Sequence, residues 1–425
     1  MQMGFGAVAP YAEERQGVGP LIPSVTDSMR PLRQQIFERI RAAGTLPRVQ
    51  VAKELGVSPA SVTAITSELI ENGLIEEVVS VRDGEQTRGR PPVALGVRAG
   101  AHLVAGIKLS DREHTAVVVD FAGNLLASES VRQRQGQHEI AEILDEVEAL
   151  VARVTAKAGI DRRELSAVGI GVPGFVDAAS GSVFWSPVLR ERQVPLAAAA
   201  EKRLGLPVHI DNDANLVALA ELWFGVGREL ADFAVVTIEH GVGMGLVLNH
   251  RLYRGAHGLG TELGHMKVHL DGALCRCGQR GCLEAYVADY ALAREATTAL
   301  DLIHHDRQTT GELLESLFEQ AKDESSAARS IFRRAGRYLA VGLANVVNLF
   351  DPGLIILSGE RMRYDYLYAA DTLAEMERLT INTNRPPRIE VHAWGDLLWA
   401  HGAAVLALAA VTESRLGAGR DAAAA

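Results

Sequence analysis

The sequence predicts a two-part fold, in which a small helical domain with a β-hairpin precedes an α/β region of two similar lobes. Up to residue 98, apolar residues recur at helical spacing and then in two short strand-like runs. After residue 98, strand-like runs alternate with helical ones and end in glycine-rich turns. Two such patterns contain "LSAVGIGVPGFVD" (165–177) and "ADFAVVTIEHGVGMGLVLN" (231–249).

These changes of pattern divide the chain into segments. Residues 1–28 mix glycine, proline and polar residues without periodicity, which predicts a disordered arm. Residues 29–98 make up the first folded domain, and residues 99–414 make up the α/β region. Residues 415–425 are expected to form a disordered tail.

Charge is distributed unevenly along the chain. The formal net charge is -10, which taken alone argues against nucleic acid binding. Residues 29–98, however, carry ten Lys and Arg against eight Asp and Glu, which leaves 33 basic and 45 acidic residues elsewhere. A mildly basic first domain on an acidic chain indicates that the two parts have different functions.

Composition also indicates the compartment. Apolar runs are short and interrupted by Gly, Arg or Asp, and the first residues lack the pattern of a signal peptide. The chain has 3 cysteines, all in one place. We therefore expect a cytoplasmic protein with no membrane span and with thiols in place of disulfides.

The first domain has the pattern of a helix-turn-helix. A helix is predicted from residue 30 to 43, ended by Gly44, and two further apolar faces follow, separated by a turn at residues 56–58. Ser58 is a suitable N-cap, and Pro59 suits the first helical position. A plain helical hairpin would give the same hydrophobic pattern.

The helix after Ser58 has small side chains on its outward face, near its start. These residues are Ala60, Ser61, Thr63, Ala64 and Ser67. A recognition helix that enters a DNA major groove needs short side chains there, close to base edges and phosphates. The pattern therefore makes this helix the candidate recognition helix.

Two strand-like runs, 74–79 and 93–95, resemble the strands of a β-wing, and between them lies "RDGEQTRGRPP", residues 82–92. Arg88 and Arg90 flank a glycine in a form that suits an A·T-rich minor groove, where negative potential is concentrated. A flexible charged linker is the alternative. The combination with the preceding helices favours a winged helix-turn-helix that binds DNA.

The cysteines lie close together near the middle of the α/β region. Cys275, Cys277 and Cys282 are too close together, and odd in number, for a disulfide framework. Three thiolates and one imidazole complete a closed tetrahedral shell for Zn²⁺, which leaves no position for a catalytic water. The alternative is three scattered buried thiols without a metal.

A histidine is needed to complete such a site. His265 is the candidate fourth ligand, and His269 is a rival. The Asp271-Gly272 turn would bring His265 back towards the thiols. Residues 265–282 are therefore expected to form a structural zinc loop.

Several stretches of the α/β region occur in a characteristic order. They are "GIGVPGFVD", "DNDANLVALAE", "RGAHGLGTELGH", "CRCGQRGCLEAY" and "LANVVNLFDPGLIILSG". In this the chain resembles the ROK family of repressors and sugar kinases, over residues 30–410, and the winged helix-turn-helix points to the repressor branch. The resemblance implies a fold like that of actin and hexokinase, with two lobes that close over a sugar.

The resemblance also implies which residues bind ligands. It places zinc at His265, Cys275, Cys277 and Cys282. It places the sugar at Asn212, Asp213, Glu262, His265 and Glu284. Sugar hydroxyls both donate and accept hydrogen bonds, so carboxylates and carboxamides suit such a pocket. Glu262 and Glu284 flank the zinc loop, so the metal would hold both near one another; the alternative for each is a solvated surface charge.

The phosphate-binding loops of the family's kinases are altered. Those kinases carry an Asp-x-Gly-Gly-Thr turn after the first strand and a Gly-Thr-Gly second loop, where this chain has "KLSDR" (108–112) and Glu239-His240-Gly241. Asp111 and Glu239 would place negative charge where a phosphate approaches. We therefore expect no kinase activity, although Asp213 is retained at the base position. A sugar kinase with an appended DNA-binding domain is the alternative.

These patterns predict a sugar-responsive repressor of carbohydrate uptake or metabolism genes, released from operator DNA by a sugar or sugar phosphate. We expect a homodimer or a dimer of dimers, because helix-turn-helix proteins usually read two half-sites. Gene activation, and a constitutive DNA-binding protein with a degenerate ligand domain, are the alternatives. Glucose, N-acetylglucosamine, glucosamine and xylose all suit the pattern.

Overall fold

A computed structural model describes most of the chain. The described residues are 17–22, 30–79, 93–134, 136–299, 310–323, 325–359, 370–381, 385–392 and 397–417. The expected wing tip with Arg88 and Arg90 lies outside the described residues.

The first domain is a winged helix-turn-helix, as the sequence predicts. Its elements are α1 (Leu32–Ala43), β1 (Thr45–Pro47), α2 (Arg48–Leu55), α3 (Pro59–Glu71), β2 (Ile75–Val79) and β3 (Val93–Val97). The strands form an antiparallel sheet in the order β1-β3-β2. Ser58 caps α3 by accepting a hydrogen bond from the Ser61 amide at 3.1 Å. Strand β1 adds to the predicted elements, because a three-residue strand that contains proline carries little sequence signal.

The first lobe is built on a five-stranded sheet in the order β10-β7-β4-β5-β6. Its strands are β4 (Leu103–Lys108), β5 (Glu113–Asp120), β6 (Leu125–Arg132), β7 (Leu165–Val172) and β10 (Val208–Asn212), with the hairpin of β8 (Phe175–Asp177) and β9 (Ser182–Trp185) beside them. Strands β4, β5 and β6 run antiparallel, whereas β7 and β10 continue parallel to β4. Helices α4 (Ile140–Ala158) and α5 (Leu196–Leu204) pack beside this sheet.

The second lobe repeats this arrangement. Its strands are β11 (Phe233–Ile238), β12 (Val242–Leu248), β13 (Arg251–Tyr253), β14 (Leu354–Ser358) and β15 (Arg388–His392), in the order β13-β12-β11-β14-β15. Three strands are again antiparallel and two are parallel, which confirms the prediction of two similar lobes. The remaining α-helices of the described residues are α6 (Asp213–Phe224), α7 (Glu284–Val287), α8 (Asp289–Ala299), α9 (Thr310–Lys322), α10 (Ser326–Phe350), α11 (Ala370–Leu379) and α12 (Leu397–Leu416).

Helix α12 lies directly on the sheet of the first lobe and crosses α6. A β-carbon at Gly169 would lie 1.9 Å from the Ala403 carbonyl oxygen, so glycine is required where the helix meets the strand. This helix is long and apolar enough to cross a membrane, but 67% of its most apolar window is buried inside the protein. It therefore has the character of a core helix.

Two segment boundaries differ from the expected ones. Residues 17–22, expected in the disordered arm, pack against the fold: Val18 is buried, and its amide donates to the Arg41 carbonyl at 2.9 Å. The Gly19 amide donates to the Trp223 carbonyl at 3.0 Å. Helix α12 continues to Leu416, past the expected boundary at residue 414. Composition does not reveal the few backbone hydrogen bonds that hold this short segment in place.

Candidate functional site

A cleft of about 270 Å³ is lined by residues of both lobes, from the ends of β4, β7, β10 and β11, from the start of β12 and from the loop that follows β13. The structure brings all of the predicted sugar residues together here. They are Asn212, Asp213, Glu262, His265 and Glu284. Strand ends that meet at one cleft commonly form small-molecule sites, and the size suits a monosaccharide.

Asn212 and Asp213 lie where β10 ends and α6 begins. The Asn212 side-chain oxygen accepts a hydrogen bond from the Ala214 amide at 2.9 Å, and its Nδ2 donates to the Gly174 carbonyl at 2.8 Å. Asn212 is thus the N-cap of α6 and is fixed at the cleft wall. Burial raises the pKa of Asp213, while the positive charge of Lys108 opposes this rise.

The two glutamates face the same cleft. Glu284 is buried, and its carboxylate accepts a hydrogen bond from the Tyr290 hydroxyl at 3.4 Å. Glu262 lines the same cleft but is exposed. Partial loss of water in the cleft raises the pKa of Glu262 to about 7; His265 opposes this rise, and the charges of Asp213 and Glu284 add to it. Glu284 is thus too buried for the alternative of a solvated surface charge, whereas Glu262 is exposed in the same cleft.

The predicted metal ligands His265, Cys275, Cys277 and Cys282 also come together. Their ligand atoms all lie within 4.8 Å of one another. His265 Nδ1 is 3.8 Å from Cys275 Sγ, and Cys277 Sγ is 3.7 Å from Cys282 Sγ. One imidazole and three thiols at this spacing form a group that a metal ion fits.

The electrostatics favour the thiolate form, which is the form that binds metals, at Cys275, whereas burial raises the pKa of the Cys277 thiol to about 11. Burial alone would raise the pKa of the Cys275 thiol, but the hydrogen bond with His265 lowers it to about 7. The Lys267 ammonium donates to Cys282 Sγ at 3.0 Å. Both partners therefore stabilise negative charge on sulfur.

His269, the rival ligand, lies outside the group. Its Nδ1 is 3.4 Å from the hydroxyl of Tyr286, and that hydroxyl also accepts from the Ala273 amide at 2.8 Å. Tyr286 belongs to α7, so these contacts hold the loop against that helix. Gly281 has φ 76°, and a β-carbon there would lie 1.8 Å from the His269 carbonyl oxygen, so the loop can close only with glycine at this position.

A buried ion pair holds the segment that carries Glu262. Arg254 donates to Asp211 Oδ2 through Nε at 2.8 Å and through Nη2 at 2.6 Å. Asp211 is fully buried near the end of β10, and its other oxygen accepts from Asn215 at 2.8 Å. The loop after β13 is therefore fixed to β10.

Sequence reasoning missed several residues of the cleft. Lys108 is buried at the end of β4, and its Nζ lies 3.8 Å from the ring centre of Trp399 on α12. Trp185 and Arg276 line the cleft as well. Lys108 attracted notice only as a departure from the kinase phosphate loop, and Trp399 belongs to a helix with no local motif.

The outward face of α3 is as expected for a recognition helix. Its exposed residues include Ala60, Ser61, Thr63, Ala64 and Ser67. Val62, Thr66 and Leu69 bury the opposite face. The helix therefore presents small side chains to solvent on a rigid support, as major-groove recognition requires.

The fold and the site define a class of protein: a winged helix-turn-helix joined to a two-lobed ligand-binding domain of the actin and hexokinase type. The family model described as ROK family matches residues 104–410, and one described as winged helix-turn-helix DNA-binding matches residues 29–76. The chain belongs to the ROK family, as the resemblance in its motifs predicts.

Relatives include both regulators and enzymes. The chain is 30% identical to a putative xylose repressor of Caldicellulosiruptor sp. (strain Rt8B.4), over 76% of this chain and 82% of that protein. A crystal structure of a ROK family transcriptional regulator, a homologue of the E. coli MLC protein, has a TM-score of 0.71 and 25% identity, over 90% of this chain and 96% of that one. A ROK family glucokinase from Streptomyces griseus, in complex with glucose and AMPPNP, has a TM-score of 0.61 and 31% identity, over 72% of this chain and 99% of that one.

Proposed function

We propose that this protein is a sugar-responsive transcriptional repressor of carbohydrate uptake or metabolism genes, and that a sugar bound in the cleft releases it from operator DNA. The observation that carries the proposal is a direct structural link between the cleft and the winged helix-turn-helix domain. Similarity to a putative xylose repressor, which extends over most of both chains, supports it.

Helix α6 forms one half of this link. It begins at Asp213 in the cleft, and Trp223 lies near its other end. The guanidinium of Arg41, from α1, lies 4.4 Å from the ring centre of Trp223. At 1.5 Å per residue, the two ends of this connection are about 15 Å apart. A shift of α6 at the cleft therefore reaches the DNA-binding domain directly.

Helix α12 forms the other half. It places Trp399 in the cleft near its start. Near its end, Thr412 Oγ1 accepts a hydrogen bond from Arg41 Nη1 at 2.9 Å. Arg33 donates to the Leu416 carbonyl at 3.0 Å. Two of the helices that touch the ligand cleft, α6 and α12, thus contact α1.

A second buried arginine secures the junction from the opposite side. Arg228 follows α6, and its Nη2 donates to the Ala42 carbonyl at the end of α1 at 2.6 Å. Its Nε donates to the Gly19 carbonyl at 2.9 Å. Because packed interfaces of this kind shift as units, α1 follows the lobe.

The energy required for release is modest. A sugar that binds the released state more tightly than the operator-bound state shifts the equilibrium by that difference in affinity. A 100-fold loss of operator affinity corresponds to about 2.7 kcal/mol of coupling. A few hydrogen bonds formed in only one state of the cleft provide this much.

We propose Zn²⁺ as the metal of the His265, Cys275, Cys277 and Cys282 group. Four protein ligands leave no open coordination position, so the ion has a structural role. It would hold the loop whose ends carry Glu262 and Glu284 and would fix both carboxylates at the sugar. A chain without the metal is then expected to lose sugar response before it loses DNA binding.

The proposed repressor has no kinase activity. His240, from the loop after β11, lies between Asp111 and Asp289, with its Nε2 3.4 Å from Asp111 Oδ1 and its Nδ1 3.2 Å from Asp289 Oδ2. These contacts join the two loops whose counterparts in family kinases hold phosphates. Carboxylates at this place oppose the binding of a further anion.

A sugar kinase with a DNA-binding domain is the second candidate. The position of Asp213 in the cleft and the 31% identity to the S. griseus glucokinase favour it. Asp213 would then be the base for the attacking hydroxyl. In the proposed function, Asp213 accepts a hydrogen bond from the sugar and transfers no proton.

We also propose operator DNA and a second copy of the chain as partners, and the cytoplasm as the compartment. Helix α3 would enter the major groove of operator DNA, with Arg88 and Arg90 in the adjacent minor groove. A homodimer or a dimer of dimers would present two such domains to two half-sites. A repressor of this kind acts in the cytoplasm.

A thermal-shift screen over monosaccharides and their phosphates, combined with a coupled ATPase assay on the same preparation, tests the proposal. We expect at least one sugar to raise the melting temperature by several degrees without ATP consumption. Sugar-dependent ATP turnover would support the kinase, and no response to any sugar would support a constitutive DNA-binding protein.

A further inference from the structure

Lys108 places a buried positive charge at the end of β4. The residue is 7% exposed, and its Nζ lies 3.8 Å from the ring centre of Trp399. Among the described residues, Lys108 makes neither a side-chain hydrogen bond nor a direct ion pair. A buried ammonium has three N–H donors, and a ring face does not replace the hydrogen bonds that water would accept.

Asp213 is the carboxylate that Lys108 influences. The Lys108 charge opposes the rise that burial causes in the pKa of Asp213. Both side chains line the same cleft without a direct ion pair between them. Each therefore retains hydrogen-bonding capacity that a ligand can use.

The chemistry of the pair selects the ligand group. A hydroxyl accepts a hydrogen bond from an ammonium and donates one to a carboxylate, so it satisfies both partners. A phosphate accepts from Lys108 but is repelled by Asp213, and Glu262 and Glu284 add negative charge to the same cleft. A deoxy sugar leaves the buried Lys108 ammonium without an acceptor, and leaves Asp213 with the Ala214 amide at 2.9 Å but without the sugar hydroxyl.

We propose that Lys108 is an effector-binding residue which, with Asp213, selects a neutral hexose with a free primary hydroxyl and rejects the 6-deoxy sugar and the 6-phosphate ester. The inference rests on the proposed function, because it specifies the effector of that same cleft. The primary hydroxyl is the group that a glucokinase phosphorylates, and Asp213 stands at the base position of the family's kinases.

Isothermal titration calorimetry with defined probes tests this. The probes are D-glucose and N-acetyl-D-glucosamine, each with its 6-deoxy and 6-phosphate forms, and the proteins are the wild type, Lys108→Met and Lys157→Met. Lys157 is an exposed lysine with a surface ion pair to Glu129 at 3.3 Å, so its loss removes the same charge far from the cleft.

The wild type and Lys157→Met should bind one free hexose at least about 10-fold more tightly than its 6-deoxy and 6-phosphate forms. In Lys108→Met the preference over the 6-deoxy form should fall to within about 3-fold, because the hydroxyl has lost its donor. If Lys108 had only a structural role, Lys108→Met would bind the free hexose and its 6-deoxy form more weakly by the same factor, and the ratio of the two affinities would not change. Should Lys108→Met not fold, Lys108→Gln, which keeps a weaker neutral donor, should show an intermediate ratio.

Three results would overturn the inference: an unchanged ratio in Lys108→Met, tighter binding of a 6-phosphate than of its free sugar, or no binding of any probe by the wild type. In the last case the monosaccharide screen separates the two claims. A response to a pentose there would sustain the proposed function while the assignment of Lys108 fails.

Discussion

The guanidinium of Arg41 lies over the indole of Trp223, 4.4 Å from the ring centre, and so joins the first helix of the winged domain to the helix that begins at Asp213. The same guanidinium donates to Thr412 on α12. It is buried, and burial lowers the pKa of Arg41 to about 10, which still leaves it charged at neutral pH. One side chain thus contacts two of the helices that line the cleft, α6 and α12.

Arg41→Met should uncouple the two domains. Methionine retains much of the volume and removes the contacts to Trp223 and Thr412, so sugar and operator should each bind within about 3-fold of wild type. The loss of operator affinity on sugar addition should fall from about 100-fold to below about 10-fold. Fluorescence anisotropy of a labelled operator, with and without sugar, measures this. Arg48→Met is the control, since Arg48 pairs with Glu77 inside the winged domain; equal uncoupling in both variants would contradict the role of Arg41.

Cys277→Ala should lose the metal and the sugar response together. Three ligands remain, which bind zinc more weakly, and the loop between Glu262 and Glu284 is then no longer held. Elemental analysis should find about one zinc per chain in the wild type and much less in the variant, while operator binding is at least partly retained. His269→Gln changes a histidine of the same loop outside the ligand group and should keep the metal. Purified wild-type protein without zinc would refute the assignment.

His114 should make the protein less stable in acid. The Ser110 amide donates to its Nδ1 at 3.1 Å, which requires a neutral ring, and burial lowers the pKa of His114 from 6.5 to about 4. Its contribution to stability is therefore complete above pH 6.5 and is lost as pH falls towards 4, because only the unfolded chain takes up the proton. The loss amounts to about 3 kcal/mol.

Urea unfolding of wild type and His114→Gln between pH 7 and pH 4.5 measures this difference. The variant should be less stable at pH 7 and should lose less stability on acidification, since glutamine does not titrate. His257→Gln, at an exposed position, should follow the wild type. Identical pH dependence in wild type and His114→Gln would show that another group controls the acid response.

Arg90→Ala tests the predicted wing. An arginine in a minor groove displaces counterions, so its loss should weaken operator binding, most at A·T-rich sites, and should reduce the slope of log affinity against log salt by about 0.9. Arg163→Ala removes an arginine of the first lobe that is paired with Asp161, and should change neither quantity. An unchanged slope in Arg90→Ala would favour the linker interpretation of residues 82–92.

Local signals predicted much of this molecule. Ser58 and Pro59 identified the start of α3 because capping depends on adjacent residues, and the spacing of Cys275, Cys277 and Cys282 identified the metal group. The rest depends on contacts between distant parts of the chain. Arg41 gives no sequence sign that it is buried, because arginine is usually exposed.

Residues at the cleft and the metal group show the same limit of prediction from sequence. From the sequence, His265 is the candidate ligand and His269 is a rival, and the structure separates them: His265 lies in the ligand group, whereas His269 contacts Tyr286. In the sequence, Lys108 is noticeable only as a departure from the phosphate-binding loop of the kinases. In the structure it lies beside Trp399 and lines the cleft. Side-chain chemistry can be read locally, whereas the partner of a side chain depends on the fold.

Operator release by sugar tests the central claim most directly. A labelled duplex selected from random sequence by the protein itself serves as operator, and its fluorescence anisotropy is followed as sugar is added, with ATP turnover measured on the same samples. The account predicts that a sugar lowers operator affinity about 100-fold without turnover. It further predicts that Asp213→Asn keeps its DNA affinity but needs about 10-fold or more sugar, because a charge-assisted hydrogen bond is lost. Operator affinity unaffected by any sugar, with wild-type ATP turnover that disappears in Asp213→Asn, would contradict the account and identify a kinase.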